Sequence, residues 1–347
     1  MRILIISKAG RMLGIAQRLQ DEGHSVLFTI INTTSGQSEI GNGIVPKTEF
    51  GSESGEGCNL VVSEGYVPDL KRKGIPIFGG YRIAASVSGD VRQNASIMRL
   101  AGLELPLREA VDGIVLSVGA FWDGSQFAVP HLVWNDGDSK NYVKRINPNA
   151  RLFTKGLGLL EHFLKKTDYR GYVRLRMMVA GDSVYGLGLN MAFEPDILQT
   201  LFELKKNDIT GFLNSITIGR ADEGEWHNGI AAGVRVFRNG YYDGVPVGGI
   251  TPKNARHIWF QSVNKDTENS QQYHCVQTQL PLLYVTAGSN TLLPRRQKDA
   301  QVFAPRERET TSCKERIENT IHHVMINGME YSTDMPEDIS KKILEWL

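Results

Sequence analysis

The strongest constraint on this chain lies at its start. RILII (residues 2–6) is a short β-branched run, SKAG is a turn, and RMLGIAQRLQDEGH sets Met12, Ile15, Ala16 and Leu19 at helical spacing before Gly23. SVLFTII (25–31) then returns to β-branched and aromatic residues. An apolar run without alternation fits a parallel strand buried on both faces, and a glycine after the last periodic residue stops a helix. Strand, helix and strand in this order predict a β-α-β unit, the opening of a doubly wound sheet.

The rest of the chain reads as further α/β and α+β texture. Residues 32–58 are rich in Gly, Ser and Thr, a long loop of the kind that usually serves a function or stays unstructured. NLVVSEG (59–65) and GIPIFGG (74–80) predict two more short strands. SGDVRQNASIMRLAGLELP predicts a helix capped by Ser88 or Asp90, lined by Val91, Ala95 and Met98, and stopped at Gly102. Two hairpins are expected, one turning at Asp123-Gly124 and one at Gly181-Asp182, with RLFTKGLGLLEHFLKKT between them as one amphipathic helix. AAGVRVF and LPLLYVT follow as strands, and RETTSCKERIENTIHHVMI as a late helix.

Composition narrows the function classes. The 347 residues carry a formal net charge of +1, which argues against electrostatic capture of nucleic acid or of an anionic membrane. Cys58, Cys275 and Cys313 are odd in number and far apart, neither a disulfide framework nor a zinc pattern, and predict a reducing, cytoplasmic setting. MRILIISKAG turns polar too soon for a signal peptide, and no apolar run is long enough to span a bilayer.

Five segments, in this order, resemble phosphoribosylamine–glycine ligase (glycinamide ribonucleotide synthetase) of the ATP-grasp superfamily. They are ILIISKAGR, NLVVSEGYVPDLKRKGIPIFGG, AASVSGDVRQNASIMRLAGLELP, YRGYVRLRMMVAGDSVYGLGLNMAFEPDILQ, and the closing pair VTAGSNTL and ERIENTIHHVMINGMEYSTDM. The resemblance implies a Rossmann-like N-terminal (pre-ATP-grasp) domain over 1–86, an ATP-grasp-like domain over 87–225 and a small α+β domain over 226–347. It also implies ATP and Mg²⁺ as cofactors, amide formation between an amine and a carboxylate, and a phosphorylated ribose or nucleotide as the small-molecule partner.

The resemblance assigns Gly10, Arg11, Glu64, Gly79, Asp136 and Asp138 to the substrate side, and Arg92 and Glu109 to the nucleotide side. Its departures fall at the chemistry. Between LELP and REAVDG, where the family inserts a lid subdomain, stands Leu107 alone, so the central domain is expected without a lid. At the strand end where the family holds Mg²⁺, Asn190 is kept, but Gly188 stands at the acidic position and Ala192 at the arginine position. Glu194 and Asp196 follow. With Asn190 they are either a remodelled metal site or a capped turn ahead of the helix that starts at Pro195. Arg174 and Arg176 share one strand face, where partner acids are the expected company. Two functions follow from this pattern: a shortened ATP-dependent ligase, or a protein that keeps the ligase fold and binds a sugar phosphate, a nucleotide or a protein partner without the ligation.

Overall fold

The computed structural model describes residues 1–31, 36–51, 55–67, 74–106, 112–137, 139–267, 272–294 and 311–347. The opening segment folds as its pattern demands. β1 (Arg2–Ser7), α1 (Leu13–Asp21), β2 (Ser25–Ile30), β3 (Leu60–Ser63) and β4 (Ile77–Gly79) build a parallel sheet of order β2-β1-β3-β4. Both faces of β1 are buried. Ile3 and Ile5 join the main core with α1, while Leu4 and Ile6 pack with Val61, Val67 and Ile77 on the other side. Complete burial explains the unbroken apolar run.

α2 (Arg82–Gly89) and α3 (Val91–Leu100) follow the sheet. Asp90 caps α3 by accepting from the Arg92 and Gln93 amides, and Gly102 takes φ +87° just beyond its end. Val91 is 86% exposed and does not line the packed face, which Ile97 and Met98 supply. From α3 the chain reaches β5 (Ile114–Trp122) through residues 101–113, too short a span for two strands and a helix. Leu107 itself lies outside the described residues.

The two expected hairpins form. β5 pairs with β6 (Phe127–Asp136), which continues into β7 (Lys140–Arg145). The segment expected as one amphipathic helix is broken into α4 (Arg151–Thr154), a 3-10 turn (Leu157–Leu160) and α5 (Glu161–Leu164). The break falls at Gly156, with φ −119° and ψ −109°. A Cβ there would stand 2.6 Å from both the Leu152 carbonyl and Met177 Cε. β8 (Gly171–Ala180) and β9 (Ser183–Asn190) form the second hairpin, and α6 (Pro195–Phe202) and α7 (Ile209–Thr217) follow it.

β10 (Ile230–Arg238), β11 (Pro246–Val247), β12 (Ile258–Phe260), β13 (Val263–Lys265), β14 (Tyr273–Cys275), β15 (Leu283–Ser289), α8 (Cys313–His323) and β16 (Met329–Glu330) complete the chain. The large sheet runs β12-β15-β10-β7-β6-β5-β8-β9, with β16 on β10, and β11-β14-β13 is a small third sheet. Because β10 pairs with β7, the large sheet continues across residues 225/226. Ser312 and Glu315 form a capping box at the start of α8. No helix among the described residues is long and apolar enough to cross a membrane.

Glu22, just past α1, ties the first layer to the second. Its carboxylate accepts from the Ile209 and Thr210 amides at 2.8 and 3.0 Å and from Thr210 Oγ1 at 2.7 Å. It therefore satisfies the N-terminus of α7 from outside that helix. Glu22→Ala is expected to lower stability by about 1–2 kcal/mol, the usual cost of a lost N-terminal cap. An unchanged urea midpoint would refute this role.

Candidate functional site

At the carboxyl ends of β1, β3 and β4 the chain leaves the sheet three times, at Lys8, Glu64 and Gly80. In open parallel sheets ligand clefts form at such ends. A cleft of about 420 Å³ lies here, closed on its far side by α2 and by the segment after β9. Its lining includes Lys8, Arg11, Glu64, Tyr66, Ser88, Asn190 and Glu194. Four residues singled out in the sequence, namely Arg11, Glu64, Asn190 and Glu194, thus meet in one place.

Glu64 organises the near wall. It is 4% exposed, and Oε2 accepts from Ser7 Oγ and the Lys8 amide at 2.9 Å each. Oε1 accepts from Arg11 Nη2 at 2.7 Å and from Nε at 3.2 Å. Burial works against the Arg11 charge, but the Glu64 carboxylate outweighs it, so Arg11 sits above its ordinary pKa. The Gly10 and Met12 amides are bonded to Ser7 Oγ at 3.1 and 3.3 Å. The amides before α1 are therefore largely satisfied within the loop. The cations facing the cleft are the side chains of Lys8 and Arg11. Lys8 is exposed, and among the described residues its ammonium forms no ion pair with a carboxylate.

Gly79 lies behind this wall. It takes φ +72°, and a Cβ would come 2.6 Å from the Ser63 carbonyl. Its amide donates to the Arg170 carbonyl at 3.0 Å. This glycine permits a close backbone approach, while its neighbour Gly80 lines the cleft.

On the far wall the acids sit at the start of α6 and pair with basic and amide side chains. Glu194 occupies the N-cap position of α6, yet its side chain makes no cap hydrogen bond. Both its oxygens accept from Arg174, Oε2 from Nε and Oε1 from Nη2, each at 2.6 Å. Burial opposes the Arg174 charge, but Glu194 overrides it and raises the pKa. Asp196, in the first turn of α6, accepts from Arg235 Nε at 2.6 Å and from Gln261 Nε2 at 2.8 Å. Asn190 Oδ1 accepts from Ser88 Oγ at 3.1 Å. All four carboxylate oxygens are thus bonded to cationic or amide donors, and the three side chains have three different sets of partners. Mg²⁺ requires carboxylate oxygens free to bind it, so this donor set does not fit the ion. Among the described residues no group of three His, Cys, Asp or Glu side chains is placed to hold a metal.

The remaining candidates lie elsewhere. Arg92 is exposed in the first turn of α3 and is not part of the cleft lining. Asp138 and Glu109 lie outside the described residues, and Asp136 is placed only as the last residue of β6. Arg174 meets the acid expected beside its strand face, whereas Arg176 is exposed. The sequence reading missed Lys8 and Tyr66, and offered Ser88 only as a helix cap. A basic residue on each side of Ala9-Gly10, straight after a buried strand, was the available signal for Lys8.

No protein-family model and no curated protein matches the sequence. Solved structures match its shape. Phosphoribosylamine–glycine ligase from Thermotoga maritima superposes with a TM-score of 0.70 at 14% identity, over 97% of this chain and 100% of that one. The biotin carboxylase domain of a single-chain bacterial carboxylase gives 0.60 at 10% identity, over 96% and 91%. L-amino acid ligase from Bacillus licheniformis gives 0.55 at 9%, over 94% and 98%. The chain therefore has the fold of the ATP-grasp ligases, with phosphoribosylamine–glycine ligase among its structural neighbours.

Proposed function

We propose that this protein binds a phosphorylated ribose or nucleotide in the cleft between the parallel sheet and the end of β9, and that it does so without ligating an amine to a carboxylate. The observation that carries this reading is the contrast between the two walls. On the near wall, Glu64 fixes Arg11 and leaves Lys8 beside it as an exposed cation. On the far wall, every oxygen of Glu194 and Asp196 is taken by Arg174, Arg235 or Gln261. Within the cleft the pairs Arg11–Glu64 and Glu194–Arg174 are each neutral, so Lys8 sets the sign of the site. A phosphate monoester fits that charge, and ribose hydroxyls find polar partners in Tyr66, Ser88 and Asn190. The cleft volume suits a ligand of this size.

Titration calorimetry tests this reading. Ribose 5-phosphate should bind, and Lys8→Ala should weaken it about tenfold, the loss of roughly 1.4 kcal/mol from one charge-assisted contact. ATP should show no dependence on Mg²⁺. Absence of ribose 5-phosphate binding, together with micromolar ATP binding that requires Mg²⁺, would overturn the proposal in favour of a shortened ligase.

A further inference from the structure

A second pocket, of about 360 Å³, opens beside α1, the end of α6 and α8, and its lining shares no residue with the cleft. Five basic side chains line it: Arg18, Lys205, Lys206, Arg256 and Arg316. One carboxylate, Glu203, stands against them. Lys206 is taken up by Glu225 at 2.8 Å, and Lys205 sits over the Trp226 ring at 5.4 Å. The three arginines come from three elements, α1, the turn Ala255–His257 and α8. Among the described residues no ion pair to a carboxylate is formed by any of the three.

The arrangement is built rather than adventitious. The Glu203 side chain, 8% exposed, holds His257, whose Nδ1 is 3.0 Å from Oε2. Arg256 Nε donates to His257 Nε2 at 2.9 Å. That bond makes Nε2 the acceptor and leaves the Nδ1 proton for Glu203, so the imidazole passes the fixed position of a buried carboxylate on to Arg256. Thr286 Oγ1 donates to Glu203 Oε1 at 2.7 Å and itself accepts from Trp259 Nε1 at 2.7 Å. The Arg18 guanidinium stacks 4.3 Å above the Trp259 ring and donates to the Arg256 carbonyl. Burial, with Arg256 alongside, pushes Arg18 below its ordinary pKa despite Glu203 and the nearby Asp21 and Glu22. A half-buried guanidinium whose nearby carboxylates form no direct ion pair with it gains from an anion delivered to it. Gly288 keeps the floor open, since a Cβ there would meet the Glu203 carbonyl at 3.3 Å.

We propose that this pocket is a binding site for a small di- or polyphosphate, held by the forks of Arg18, Arg256 and Arg316. Guanidinium groups match phosphate oxygens two at a time, and three of them facing one pocket suit a ligand with several charges rather than one. The volume admits a diphosphate and an attached small group.

Inorganic pyrophosphate, titrated calorimetrically into the full chain, is the probe. Arg256→Gln and Arg316→Gln should each weaken binding about tenfold, and the double variant about a hundredfold. Arg18 is left intact because it also packs on Trp259. The same series on a Lys8→Ala background separates this pocket from the cleft, and the arginine effects should persist there unchanged. Urea midpoints at native level would establish that the variants are folded. Pyrophosphate binding equal in the native protein and the folded double variant would overturn the proposal. So would no binding at millimolar pyrophosphate, or tighter binding of citrate than of pyrophosphate.

Discussion

Glu64→Ala is expected to lower folding stability by about 3 kcal/mol and to abolish ribose 5-phosphate binding. The carboxylate accepts four hydrogen bonds, from Ser7 Oγ, the Lys8 amide and two atoms of Arg11. Truncation leaves a hydroxyl and an amide without their acceptor in a buried setting, each worth roughly 1–3 kcal/mol. The Arg11 contribution is smaller, because that side chain is 37% exposed and water screens its charge. Binding suffers separately, since the loop that presents Lys8 and Arg11 loses the group that shapes it. Two comparisons make the result interpretable. Glu64→Gln should retain most of the stability, because one carbonyl oxygen remains to accept from Ser7 or Lys8. Arg11→Met combined with Glu64→Met should recover stability relative to Glu64→Ala without restoring binding. A urea midpoint within experimental error of the native one, at unchanged slope, would rule out the clamp.

The parts of the fold legible in the sequence are those that local pattern controls. Burial of β1 on both faces leaves a continuous apolar run, and the Asp123-Gly124 and Gly181-Asp182 turns lie where the chain reverses. The ATP-grasp fold was implied by the family resemblance that five such segments carry in order. The helix over 151–167 failed because the apolar spacing of RLFTKGLGLLEHFLKKT is helical while its backbone is not. Met177, from a distant strand, occupies the space that a side chain at Gly156 would need. α2 was missed for a different reason, since Ala84 and Val87 are the buried residues of RIAASVSG and so short an apolar face is easily passed over.

The site shows the same division. Arg11 and Glu64 were legible as individuals because each lies at the end of a recognisable strand. The state of Glu194 and Asp196 was not. Their partners Arg174 and Arg235 are 20 and 39 residues away, and the sheet brings them within reach. Asp196 meets Arg235 because α6 packs against the face of β10, a contact with no local signature. Acid positions can be read along a chain, but whether an acid remains available to a ligand depends on tertiary pairing.

Acidification from pH 7 to pH 5 should remove about 2 kcal/mol of stability through His131 alone, and about 3 kcal/mol by pH 4. His131 is wholly buried, and burial pushes its pKa down to about 4, with Arg145 and Arg174 adding repulsion and the Val129 carbonyl opposing it. Nδ1 lies 2.8 Å from the Val129 carbonyl and Nε2 lies 3.0 Å from the Tyr172 hydroxyl, which fits a neutral ring donating at Nδ1 and accepting at Nε2. Below pH 6.5 the unfolded chain binds a proton at this residue that the native state does not take up until about pH 4. Stability therefore falls as pH falls through that window, by about 1.4 kcal/mol per unit. Glu203 lies below its ordinary range because its bonds to His257 and Thr286 outweigh burial, and its contribution fades only beneath about pH 4.3. The interval from 7 to 5 thus isolates the histidine from that group. The site has little freedom to accommodate charge. Val129 holds φ +51°, a costly conformation for a β-branched residue, with its amide donating to Glu223 and its carbonyl accepting from His131. A Cβ on Gly119 would stand 2.5 Å from His131 Nε2 and 2.2 Å from the Tyr172 hydroxyl. His131→Gln should flatten the pH dependence of the urea midpoint between 7 and 5 while lowering stability at pH 7. A slope in the variant equal to that of the native protein would assign the effect to another group. The same Arg174 that binds both oxygens of Glu194 also helps keep His131 neutral, so Arg174→Met should raise the His131 pKa and shallow the acid transition.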